Sequence, residues 1–139
     1  MKRFLSARAL LAAGADRVIV GTAAWPDPTP WAEVLGAALI VALDVREGTV
    51  RAAGWTEEAG LSIADAVERC LAAGVERVLC TAIDRDGTLA GPDLSLVELV
   101  AGRGLHVLAA GGVRSPDDVA ALAAAGAEAA VVGRALLSS

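Results

Sequence analysis

The sequence predicts an α/β protein in which parallel strands alternate with helices, and two observations carry that prediction. The first is a phrase that recurs three times: Ala-Ala-Gly, an acidic position, two or three apolar residues, then a small or hydroxyl residue. It runs over 11–22, 71–81 and 122–134. Each copy reads as a helix end, a glycine stop, a short connection and a buried strand that opens into a loop, the αβ step of a repeating βα architecture. The copies, marked by Gly14, Gly74 and Gly126, lie too far apart for adjacent tandem units and are spaced as every second or later unit. The second observation is length. A chain of 139 residues falls short of the roughly 200–250 residues of a complete eightfold βα barrel. The expectation is therefore one domain over 1–139, forming part of a (βα)8 TIM barrel with about five parallel strands.

Local signals give the elements. Residues 5–13 have helical spacing, and 17–20 reads as a strand ending at Gly21-Thr22. A proline-rich stretch over 25–30 delivers a short helix at 31–35, with Pro30 suited to its first turn. Residues 38–43 are continuously apolar, as in a strand covered on both faces, and the strand ends on Asp44. Residues 45–55 read as a loop with a small hairpin at Glu47-Gly48. The pattern over 61–73 is helical, with Ser62 as cap and Asp65 as its capping-box partner. A strand over 77–81, a loop over 84–92 and a helix over 94–103 follow. Then come a strand over 105–110 closed by Gly111-Gly112, a helix over 116–124 capped by Ser115, and a strand over 129–132 from which Gly133-Arg134 opens a last helix.

Composition narrows the function classes. At 55% hydrophobic, 21% charged and a mean hydropathy of +0.57, the chain should bury much of itself. No apolar run reaches the roughly 18 residues of a membrane span. The opening Met1-Lys-Arg-Phe-Leu resembles the start of a signal peptide, but Arg8 interrupts it, and a cytoplasmic location is expected. A net charge of −5 argues against nucleic acid or an anionic membrane as partner. An anionic small molecule would have to be held locally, by backbone amides and a few arginines such as Arg46 and Arg134. Cys70 and Cys80 form no CxxC and read as reduced core thiols, so no metal is expected. His106 begins a strand, and a packing role is expected of it.

In parallel βα architectures the C-terminal strand ends share one mouth. Those ends carry Gly21-Thr22, Asp44, Thr81 with the Asp84/Asp86 loop, Gly111-Gly112 and Gly133-Arg134. The two glycine turns open helices and would present backbone N–H groups and positive dipole ends to a phosphate, although a glycine pair also serves a tight turn that needs no ligand. Asp44 closes an apolar strand, where an ionised group is costly without a partner; a cap or a salt bridge to Arg46 or Arg51 is the plainer alternative. Asp44 and Asp86, on consecutive strand ends, would face one another across the mouth, as proton transfer at a carbonyl or amine requires.

Four segments resemble the phosphoribosylformimino-aminoimidazole carboxamide ribotide (ProFAR) isomerases of histidine biosynthesis, in the isomerase/cyclase barrel family. They are Val41-Ala-Leu-Asp-Val-Arg-Glu-Gly with Gly54-Trp55, Thr81-Ala-Ile-Asp-Arg-Asp-Gly-Thr-Leu-Ala-Gly-Pro, Ala110-Gly-Gly-Val-Arg-Ser-Pro-Asp-Asp, and Val131-Val-Gly-Arg-Ala-Leu. The sister cyclase subunit of imidazole glycerol phosphate synthase shares the Asp-Arg-Asp-Gly-Thr loop, but Gly54-Trp55 and the Gly-Gly-Val-Arg-Ser-Pro-Asp-Asp wording favour the isomerase. The resemblance implies a cofactor-free Amadori rearrangement of a bis-phosphorylated aminoaldose. It implies that Asp44 donates a proton, that Thr81 and Asp86 assist, and that Trp55 closes over the substrate. Gly111, Gly112, Gly133 and Arg134 would hold one phosphate, and Gly21 and Thr22 part of the other.

The match covers the last five strands of such a barrel. The first three strands, with the proton-accepting aspartate and a further phosphate turn, have no counterpart in these residues. Ala82 stands where an aspartate is common, and Ala53 where relatives that also act on a tryptophan-pathway substrate carry an arginine. The expectation is a chain inactive alone. Self-association through open sheet edges, pairing with an N-terminal half-barrel, or a non-catalytic phosphate-binding module are the further expectations.

Overall fold

The computed structural model describes residues 17–21, 24–25, 27–51, 61–85 and 90–132. In chain order the elements are β1 (Val18–Val20), α1 (Thr29–Leu35), a 3-10 turn (Gly36–Ala38), β2 (Leu39–Arg46), β3 (Thr49–Arg51), β4 (Leu61–Ser62), α2 (Ile63–Ala73), β5 (Arg77–Ala82), α3 (Leu94–Gly102), β6 (His106–Ala110), α4 (Pro116–Ala125) and β7 (Ala127–Ala130). Five strands are parallel, in the order β1, β2, β5, β6, β7. This is the alternating α/β arrangement of a partial TIM barrel.

Two of the repeated Ala-Ala-Gly phrases form the helix ends expected of them. Gly74 (φ 84°) and Gly126 (φ 111°) take the left-handed conformation that stops α2 and α4. After α2 the Gly74 amide donates to Leu71 O, and the Val75 amide donates to Cys70 O at 2.9 Å, the paired bonds of a Schellman stop. At the other end of α2, Ser62 Oγ accepts from the Asp65 amide at 3.1 Å, and Ser115 caps α4 by accepting from the Asp118 amide at 3.4 Å. The first copy, at Gly14, lies outside the described residues.

Burial alternates along every central strand and defines two unlike faces. Val41, Leu43 and Val45 on β2, Val78, Cys80 and Ala82 on β5, and Val107 and Ala109 on β6 are buried with Trp31, Leu35, Val67, Cys70, Val97, Val100 and Leu122 from the helices. The other face carries Ile19, Ile40, Ala42, Leu79 and Leu108, and among the described residues no helix covers it. Ile19 is 55% exposed there. The expectation that β2 would be covered on both faces holds from Leu39 to Val41, where Ile40 is also buried, and is corrected beyond it. Its N-terminal half is buried, and the face then opens through half-buried Ala42 to exposed Asp44 and Arg46.

Element boundaries also differ from the sequence reading, chiefly in three places. β2 runs past Asp44 to Arg46, because β3 folds back on it and pairs Asp44 with Arg51, Val45 with Val50 and Arg46 with Thr49. The two-residue turn between them has positive φ at Glu47 (50°) and Gly48 (78°), the type I′ geometry that matches strand twist. Leu61, expected to be helical, and the cap residue Ser62 extend this hairpin as β4 against β3, which buries Leu61. β7 begins directly after Gly126 rather than at Ala129, since pairing with Val107 and Ala109 captures Ala127 and Ala130 through an irregularity in the ladder.

Candidate functional site

The parallel register gathers the C-terminal strand ends. Asp44 on β2 lies opposite Thr81 on β5, and Thr81 lies opposite Ala110 on β6, which Gly111 follows directly. With strands about 4.8 Å apart, the row from Asp44 to Ala110 spans roughly 10 Å. Parity along the strands puts Asp44, Arg46 and Thr81 on the open face, opposite the helices. Asp44 and Arg46 are exposed and Thr81 is half-buried. The expectation that Asp44 sits in an apolar setting is corrected. The hairpin carries the strand beyond it, and alternation buries its neighbours Leu43 and Val45 while Asp44 meets solvent.

Gly111 (φ 93°) and Gly112 (φ 80°) form the turn after β6. A Cβ on Gly111 would stand 2.5 Å from the Ala82 carbonyl oxygen, and one on Gly112 would stand 2.4 Å from the Gly91 carbonyl oxygen. Both glycines are required by close backbone contact between this turn and the loop after β5, whatever else they do. Gly21 differs. Among the described residues nothing lies within 4 Å of a Cβ built there, so packing does not demand a glycine. It ends β1 on the far side of β2 from Gly111, three strand spacings or roughly 14 Å along the sheet. Thr22, Trp55, Asp86, Gly133 and Arg134 lie outside the described residues.

Two charged pairs went unread in the sequence. Asp118, buried in the first turn of α4, accepts from the Arg114 amide at 2.8 Å, from Arg114 Nε at 3.0 Å and from Arg114 Nη2 at 3.1 Å. These bonds hold its carboxyl below the usual carboxylate range. The Ser-x-x-Asp spacing from Ser115 to Asp118 was the available signal. At the opposite, N-terminal end of the strands, Arg77 on β5 reaches over β6 to Glu128 on β7, with bonds of 2.6 and 2.8 Å from Nε and Nη2. Those bonds lower the Glu128 carboxyl from its ordinary range. No sequence signal marks that pair, since only the register brings the two strands level. His106, paired with Arg77, starts β6 at that same far end, as the strand pattern indicated; its side chain is exposed there, so the packing role expected of it is corrected.

Cys70 and Cys80 are buried and unbridged, and burial pushes both thiols up to about 12. Among the described residues no group of three His, Cys, Asp or Glu side chains could hold a metal ion, and no helix is long and apolar enough to cross a membrane.

A mostly parallel sheet alternating with helices, its C-terminal strand ends brought level by the register, defines a section of a βα barrel. The chain matches the histidine biosynthesis protein family over residues 2–139, and it belongs to that family. The family comprises histidine biosynthesis enzymes of the isomerase and cyclase kind, so the resemblance read from the sequence holds at that level.

Proposed function

We propose that this chain supplies the proton-donor side of an aldose–ketose isomerase site acting on the bis-phosphorylated aminoimidazole carboxamide ribotide intermediate, in the cytoplasm. The observation that carries the reading is the register pairing of Asp44 with Thr81 at the mouth of the open face, one strand from the Gly111 turn. Asp44 gives a proton to the ring oxygen as the sugar opens, with Thr81 and Asp86 assisting. Loss of the C2 proton to a base and its return at C1 then convert aminoaldose to aminoketose with no net oxidation, so no cofactor is needed. Gly111, Gly112, Gly133 and Arg134 take one phosphate and Gly21 and Thr22 part of the other, with Arg46 adding positive charge beside Asp44. A second carboxylate, on a segment that covers the open face, is required as the base. The preference for isomerase over cyclase rests on the Gly54-Trp55 and Gly111–Asp118 wording.

The test joins a family-type N-terminal segment to the chain and assays isomerisation beside the chain alone. Turnover only in the joined protein supports the reading. Cyclisation in place of isomerisation assigns the cyclase, and absence of both refutes the catalytic reading.

A second reading, favoured by the exposure of Ile19 on the open face (55%) and of Val131 just past β7 (50%), is an assembling half-barrel that binds phosphate without chemistry. Sedimentation separates the two. A stable homodimer that binds phosphate, and gains no turnover with an N-terminal segment, favours the module.

A further inference from the structure

An N-cap serine and an acidic residue three positions on ordinarily bond reciprocally, the carboxylate returning to the amide of the cap residue. In α4 the first half holds, with Ser115 Oγ accepting from the Asp118 amide. The Asp118 carboxylate instead reaches one residue further back, to the Arg114 amide at 2.8 Å, and grips the Arg114 guanidinium at 3.0 and 3.1 Å. Arg114 in turn lies flat against Gly91, where an added Cβ would stand 3.0 Å from its Nη2. The Gly91 carbonyl abuts Gly112. A chain of contacts thus runs from α4 through Asp118, Arg114 and Gly91 to Gly112, in the turn after β6.

We infer that Asp118, acting through Arg114, is a positioning residue that fixes the Gly111-Gly112 turn in the shape that receives an anionic phosphoryl group. The inference rests on the phosphate role proposed above for those glycines. A backbone turn holds an anion only when its amides converge before the ligand arrives, and each freely rotating peptide weakens the site through the entropy of ordering it. Asp118 is buried and its carboxylate is engaged by three donors. It therefore fixes the orientation of the Arg114 peptide, two residues from Gly112, and forms no contact with the ligand itself.

Inorganic phosphate, titrated into the full chain and followed at the Gly111 and Gly112 amides by NMR, tests both layers. Wild type should show saturable shifts at those amides. Asp118→Ala should weaken the affinity by about tenfold, the loss expected when charge-assisted hydrogen bonds cease to hold the turn. Asp118→Asn, which keeps an acceptor for the Arg114 amide, should fall between the two. Ser62→Ala is the control, since it removes a cap on α2 and lowers stability without touching this turn. It should leave phosphate affinity unchanged, as a merely structural role of Asp118 would also do. If Asp118→Ala fails to fold, Arg114→Ala, whose side chain is half exposed, is read by the same criterion. Wild-type affinity in these variants overturns the positioning role and leaves the phosphate site standing. Failure of wild type to respond at Gly111 and Gly112 overturns the phosphate reading, and the positioning role with it.

Discussion

Asp44 and Thr81 are direct register partners on neighbouring parallel strands, one carboxylate and one hydroxyl brought level at the C-terminal rim of a sheet face that no described helix covers. A separation of one strand spacing lets the hydroxyl support a carboxyl that gives up a proton and takes it back. In the barrel completed by an N-terminal segment, Asp44→Asn should lower turnover at least ~100-fold, the usual scale of general acid catalysis. Phosphate binding should stay near wild type. Unchanged turnover removes Asp44 from the reaction.

The glycines of the two proposed phosphate turns should respond in opposite ways. Gly111→Ala places a Cβ against the Ala82 carbonyl at a positive φ and should cost on the order of 2–3 kcal/mol in a urea melt. Gly21→Ala meets no described atom and should leave the melt unchanged. If Gly21→Ala nevertheless weakens phosphate binding, Gly21 is a ligand-side glycine. If it does not, the second phosphate site lies elsewhere.

Stability should fall at both ends of the pH scale, for different groups. In the unfolded chain Cys70 and Cys80 lose protons near the ordinary value of 9.0, whereas the fold holds them to about 12. Their contribution is complete below about pH 9 and is lost as pH rises toward 12, because only the unfolded chain has released the protons. Glu128 and Asp118 act in the other sense. Their folded carboxyls are lowered by Arg77 and Arg114, so their contribution is present above the ordinary carboxylate range and is lost as pH falls through the folded values. Urea melts should show a Cys70→Ala/Cys80→Ala double variant with a flatter alkaline limb, and Glu128→Gln with a flatter acid limb. Identical limbs in variant and wild type refute the assignment.

The hairpin turn is open to improvement. Glu47 occupies a left-handed conformation at φ 50° ahead of Gly48, so Glu47→Asn should raise stability by about 0.5–1 kcal/mol. Ser62→Ala, which removes the acceptor for the Asp65 amide, should lower it by about 1 kcal/mol. Thermal denaturation of the two variants checks both signs.

Much of the architecture was legible because the signals are local. The Ala-Ala-Gly phrase announces a left-handed helix stop, Ser62 and Ser115 announce caps, and Glu47-Gly48 announces a tight turn; each needs only a few neighbouring residues to act. The strand ends were legible, and Asp44, Thr81 and Ala110, which Gly111 follows, lie in one row. The environment of Asp44 was not legible, because its exposure depends on β3 returning along β2 and on the helices packing on one side only. The reach of Arg77 across β6 to Glu128, and the turn of Asp118 back to Arg114, were hidden for the same kind of reason.

By itself the sequence determined the alternation of helix and strand, the glycine stops of α2 and α4 and the serine caps that open them, and the family to which the chain belongs. These follow from backbone preferences and hydrophobic spacing within about a dozen residues. Only the tertiary structure decided which strands lie side by side, which face stays open, and which glycines are demanded by contact with a distant carbonyl. Register and packing join residues far apart in the chain, and no local preference encodes a contact whose second partner is on another strand.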